Sequence, residues 1–169
     1  MSDEDEDDNN IIQLAPRLPK AEVEKILRQK WKSSLDTGFA VVPSVMLRSL
    51  PSLGIQASEL AVLVILIDLW WKPGDMPWPS KAKLAKLLGV SEKTIQRSIK
   101  KLVDGGLIVS EARHRAHGGQ TSNRYDLTPL VARLEAAAKA LKAAADQAER
   151  DRSRAVRNSA PKKATSKEA

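Results

Sequence analysis

The chain of 169 residues contains no cysteine, two histidines and only six aromatic residues, four of them Trp. Without cysteine there can be no disulfide framework and no thiolate metal site. His114 and His117 have no paired carboxylates beside them, so no metal centre is expected, and nothing in the chain implies a cofactor. Long apolar runs are also lacking. The longest, Leu60 to Ile67, has eight residues, against roughly 20 for a membrane-spanning helix, so no membrane partner is expected. The chain has no P-loop, nucleophile elbow, HExxH or Gly-rich dinucleotide fingerprint, and the expectation is a protein without catalysis.

What the chain does have is charge, unevenly placed. The formal net charge is +7, yet Asp3, Glu4, Asp5, Glu6, Asp7 and Asp8 concentrate six of the 21 acids at the start. An acidic start is the opposite of a signal-peptide n-region, and a soluble, cytoplasmic, nucleoid-associated protein is expected. The surplus of cations elsewhere calls for a polyanionic partner. It is densest across Ser80 to Arg124, where ten basic residues face three acidic ones.

The pattern along the chain gives five segments. Residues 1–10 carry like charge and no apolar residue after Met1, and are expected to be a disordered acidic tail. Residues 11–57 read as a helical extension, with Val23, Ile26, Leu27, Trp31 and Leu35 at helical spacing, a short strand at Phe39 to Val42 and a brief helix after Pro43. Residues 58–128 read as the central domain. In it Ser58 is the expected cap of an apolar helix, Glu59 to Trp71, and Ser80 and Ser91 announce two short helices, the first burying Leu84, Leu87 and Leu88. Two strands, Leu107 to Arg113 and Thr121 to Leu127, then flank a glycine-bearing turn. Residues 129–150 form a helix whose seam, Val131, Leu134, Ala138, Leu141, Ala145 and Ala148, has heptad spacing; residues 151–169 read as a disordered basic tail. The fold class is mainly α with one small β-hairpin.

The spacing of Leu84, Ala85, Gly89, Val90, Ser91, Thr94, Ile95, Arg97, Ile99, Leu102, Gly106 and Ile108, followed by a hairpin ending N-R-Y-D-L, resembles a bacterial winged helix-turn-helix. The likeness is to the domains of plasmid and phage replication proteins and of stand-alone regulators, and more distantly to the GntR regulators. It covers about Ser58 to Leu127 and implies a winged domain whose second motif helix enters the major groove of double-stranded DNA, with the hairpin as its wing.

The residues themselves support that reading. Ala85 is small where two helices must approach, and Gly89 and Val90 provide the tight turn. On helix 92–103, Ile95, Ile99 and Leu102 share one face, and Lys93, Arg97, Lys100 and Lys101 lie opposite, a basic ridge that suits a major groove. Lys93, Thr94, Gln96 and Arg97 sit near its start and are assigned to base edges; Lys100 and Lys101 are assigned to phosphate. Ser80 and Ser91 cap helix N-termini, where free N–H groups favour phosphate, with Lys81 in support. Arg113, His114 and Arg115 at the wing are assigned to the minor groove or backbone. For the helix the competing reading is a solvated lysine face, for the wing a basic tip that contacts nothing. Tyr125 is expected to pack on the domain rather than stack on a base.

The expected function is therefore sequence-specific duplex binding, with transcriptional regulation favoured narrowly over replication initiation at origin repeats; either would bring replication or transcription machinery as partners. A winged-helix protein interaction module is the alternative of another class, opposed by the charged face. Single-stranded nucleic acid is disfavoured because Ser80 to Arg124 contains no aromatic for base stacking. The seam at 131–148 can pair two chains as a homodimer or pack back on the domain. The acidic run can compete with DNA for the basic helix or merely solubilise the chain.

Overall fold

The computed structural model describes residues 19–113 and 121–159. They fall into two compact units, one up to Ala137 and the other from Ala138 onwards. In the first unit, α1 (Lys20–Trp31) runs into a 3-10 turn (Lys32–Thr37), followed by α2 (Ser44–Arg48), α3 (Leu50–Leu53), α4 (Ala57–Asp68), α5 (Lys81–Leu88) and α6 (Glu92–Asp104). A hairpin of β1 (Val109–Glu111) and β2 (Arg124–Asp126) leads into α7 (Thr128–Ser159). The two strands are antiparallel with Ser110 opposite Tyr125 and Glu111 opposite Arg124.

The core is built where three periodicities meet. From α4 come Val62, Leu63 and Leu66; from α5, Leu84 and Ala85; from α6, Ile95, Ile99 and Leu102. Leu107, Ile108, Tyr125 and Leu127 close it from the hairpin, and Leu130 and Leu134 from the first turns of α7. Each such aliphatic side chain contributes roughly 1.5–3 kcal/mol by leaving water. Tyr125 is 1% exposed, as expected of a packing residue, and burial raises its phenol pKa.

Several sequence expectations need correction. Met46, Leu53 and Ile55 belong to the same core, so a boundary between 57 and 58 would cut through it. Leu130 and Leu134 likewise cross a boundary at 128/129. Phe39 to Val42 is not a strand. Phe39 and Val41 are mostly exposed, and no strand lies beside them among the described residues to take their backbone bonds. The apolar helix ends at Asp68 rather than Trp71, and Trp71 is 80% exposed. Leu87 is exposed; α5 buries Leu84 and Ala85, with Leu88 partly buried against the core. The strands are three residues each, shorter than the alternating pattern.

Residues 151–159 are not a tail but the continuation of α7. Ala, Arg, Gln and Glu are strong helix formers, and the Gln147 amide donates to Asp151 one turn on at 3.1 Å, an i,i+4 support that needs no apolar seam. Within the seam, Leu134 is buried, whereas Val131 and Leu141 are each 38% exposed. The inward side of the first turns is Leu130 and Leu134. Among the described residues no helix is long and apolar enough to cross a membrane.

Candidate nucleic-acid interface

The two motif helices are started and stopped by local chemistry. The Ser80 hydroxyl accepts the backbone N–H of Lys83 at 3.1 Å, capping α5. Gly89 ends that helix in the left-handed region at φ 66°, which a residue with a Cβ adopts only under strain. Two residues later, the Ser91 hydroxyl accepts the N–H of Thr94 at 3.1 Å and shares a 2.9 Å bond with the Thr94 hydroxyl. Each N-terminus thus keeps one donor engaged and leaves others pointing outward, with the positive end of the helix dipole behind them.

Burial of Ile95, Ser98, Ile99 and Leu102 fixes the rotation of α6. Lys93, Gln96 and Arg97 are consequently exposed, and Thr94 is half-buried beside its cap. Ser98 was not legible as a buried position, because a small polar residue carries no hydrophobic signal. The ridge assigned from the sequence is divided. Lys93 and Arg97 present their charge outward, and Lys100 pairs with Asp104 at 2.7 Å, an exposed i,i+4 pair that competes weakly with phosphate.

Lys101 has a different task. Its ammonium donates to the Gln56 side-chain oxygen at 2.8 Å and lies 3.4 Å from Glu59 Oε1. Glu59 is 2% exposed; its carboxylate accepts the Gln56 backbone N–H at 3.1 Å and the Ser58 hydroxyl at 3.0 Å. The cap of α4 is therefore Gln56 with Glu59, not Ser58, which sits inside the helix. Burial works to raise the Glu59 pKa, but the Ser58 and Lys101 hydrogen bonds, the Lys101 charge and the Gln56 amide outweigh it and lower the value overall. Lys101 thus ties the start of α4 to α6.

The hairpin is braced by Arg124 to Glu111 at 2.7 Å, by the Asn123 amide to the Ser110 hydroxyl at 2.9 Å, and by the Thr121 N–H to the Arg113 carbonyl at 2.8 Å. It has a backbone neighbour that the sequence did not reveal. The Tyr125 N–H donates to the Pro77 carbonyl at 2.9 Å, and the Ser122 hydroxyl to the Trp78 carbonyl at 3.0 Å. Pro77 and Pro79 are buried, and Trp78 between them is exposed, the alternation of a strand. Pro77 has no N–H to donate, so at that position the segment only accepts from β2, as an edge does. The Arg113 guanidinium lies 5.1 Å from the Trp78 ring centroid, a cation–π contact. Ser80 to Arg124 contains no aromatic, but Trp78, just outside it, sits against Arg113. His114 and Arg115, assigned to the wing tip, lie outside the described residues, as does His117. Among the described residues no cluster of metal-ligating side chains occurs.

Residues 53–108 match the family model of a helix-turn-helix domain. The crystal structure of a transcriptional regulator is similar at 21% sequence identity, covering 82% of this chain and 96% of that one, with a TM-score of 0.36. No curated protein gives a match. The segment that matches the helix-turn-helix family model takes in α4, α5 and α6 and stops at Ile108, where the hairpin begins.

Proposed function

We propose that the protein binds double-stranded DNA sequence-specifically and acts as a transcriptional regulator without catalysis of its own. The observation that carries this reading is the exposed start of α6: Lys93, Gln96 and Arg97 project from a helix whose opposite face is locked into the core. In this reading Arg97 pairs with guanine O6 and N7, Gln96 with adenine, and Lys93 with a base edge or phosphate. Thr94, already bonded to Ser91, contributes its methyl to a thymine. The capped starts of α5 and α6, with Ser80, Lys81 and Ser91, take phosphates, as do Lys100 and the wing residues Arg113, His114 and Arg115. Phosphate contacts make binding salt-dependent; base contacts give it preference.

Selection of bound duplexes from a random pool tests this. A recurring motif that competes far better than bulk DNA is expected, and recovery of no motif would refute sequence-specific reading. The same pool reports on assembly, because a homodimer paired through α7 would select two half-sites related by symmetry.

A further inference from the structure

We infer that Trp78, mounted on the wing with Arg113 against its ring, is a stacking platform for an unpaired DNA base next to the duplex held by α6. This rests on the duplex-binding reading above and adds a second kind of DNA contact to it.

Three observations carry the inference. First, the ring is held outward by its neighbours. Pro77 and Pro79 are buried on either side, and the carbonyls of Pro77 and Trp78 are pinned by the Tyr125 N–H of β2 and by the Ser122 hydroxyl just before it. Trp78 nevertheless remains 59% exposed. An indole is costly to leave in water, and here the backbone bonds and flanking prolines allow it no retreat into the core. Second, the Arg113 guanidinium at 5.1 Å from the ring centroid sets a positive charge beside an aromatic surface, the combination that proteins use to hold single-stranded bases along a phosphate backbone. Third, Trp78 stands two residues before Ser80, the cap of α5. The ring therefore lies close in the chain to a helix start that the duplex-binding reading assigns to phosphate.

A fully paired duplex offers no base face to such a ring unless a step is unstacked. An unpaired base next to the site offers one without that cost. The protein should accordingly prefer its selected duplex when a few unpaired nucleotides adjoin the end nearest the wing.

The test titrates the full chain against the selected duplex in two forms, intact and carrying an unpaired run at either flank. Stacking of one base corresponds to a gain of roughly 5- to 150-fold, and a gain of about tenfold is expected for one flank. In Trp78→Ala the ratio of the two affinities should fall to near one, while Trp78→Phe should retain most of it. A ratio near one in the unaltered protein, or an alanine variant that weakens both DNAs equally, overturns the inference. A second readout needs no alanine variant: the emission difference between the unaltered protein and Trp78→Phe should be quenched by the flanked duplex and not by the intact one, and equal quenching by both would count against stacking on an unpaired base. Absence of binding to the intact duplex would instead refute the reading on which the inference rests.

Discussion

Glu59 and Lys101 show how a single pair can decide what a surface is for. Glu59 is buried with three donors around it, and removal of its carboxylate takes the acceptor from the Gln56 N–H and the Ser58 hydroxyl and leaves Lys101 only its bond to the Gln56 side chain. Glu59→Ala should lower stability at pH 7 by about 1–3 kcal/mol, the cost of leaving such groups unsatisfied, measured by urea unfolding. The pH dependence has a definite sign. The folded pKa is below the unfolded one, so the contribution is fully present above the unfolded carboxyl value of about 4.3 and is lost as pH falls through the folded value. The gap between the unaltered protein and Glu59→Gln should therefore be wide at neutral pH and close in acid; a gap independent of pH would contradict this account. Lys101 looked like one more cation of a basic ridge because its partner Glu59 lies 42 residues earlier in the chain, beyond the reach of any local pattern.

At the scale of elements, what was legible in the sequence is what local chemistry decides. Ser80, Gly89 and Ser91 punctuate α5 and α6 through bonds to residues three or four positions away, so their identities announced both helices and the turn between them. A Cβ at Gly89, where φ is 66°, would meet open space, so the penalty for Gly89→Ala is backbone conformation alone. About 1 kcal/mol is expected, measured as a shift in the thermal or urea midpoint. A stability unchanged by the substitution would mean the turn relaxes. What was not legible depended on distant partners. The Pro77 to Pro79 segment has the composition of a chain breaker, and only β2, far along the chain, makes it a third strand-like edge of the wing. Phe39 to Val42 had the composition of a strand and, among the described residues, no strand beside it. The long C-terminal helix was legible in its start and not in its end, since the apolar seam stops before the helix-forming residues do.

For the whole molecule, the core that joins Met46, Leu53 and Ile55 to the motif helices and to Leu130 and Leu134 makes residues 44–134 the smallest unit that keeps the site. Deletion from Val131 onwards would remove Leu134 from that core, so assembly is better tested by truncation after Ala137. Pairing through the seam is a proposal that favours a second copy of the chain. Val131 remains partly exposed and lines an apolar cleft of about 270 Å³ with Phe39, Val41, Ile67, Trp70 and Trp71. Sedimentation equilibrium should show a dimer of the full chain and a weaker dimer after truncation, which removes Ala138, Leu141, Ala145 and Ala148 of the seam; a monomeric full chain at tens of micromolar would remove the pairing model. Charge belongs to this scale too. The acidic run at Asp3 to Asp8 offsets cations that are densest on the helix-turn-helix and wing segment, so its removal should raise affinity for bulk DNA at low salt if it competes for α6, and leave it unchanged if it only solubilises the chain.

The claim that α6 reads bases through Arg97 is tested most directly by measuring the affinity of Arg97→Ala for the selected duplex and for a panel carrying every single base-pair substitution. The account predicts a loss of about 1–3 kcal/mol on the selected site and a relaxed preference at one base pair, with the other positions still discriminated. Uniform weakening across the panel, with discrimination at every position intact, would contradict it and make Arg97 a phosphate contact.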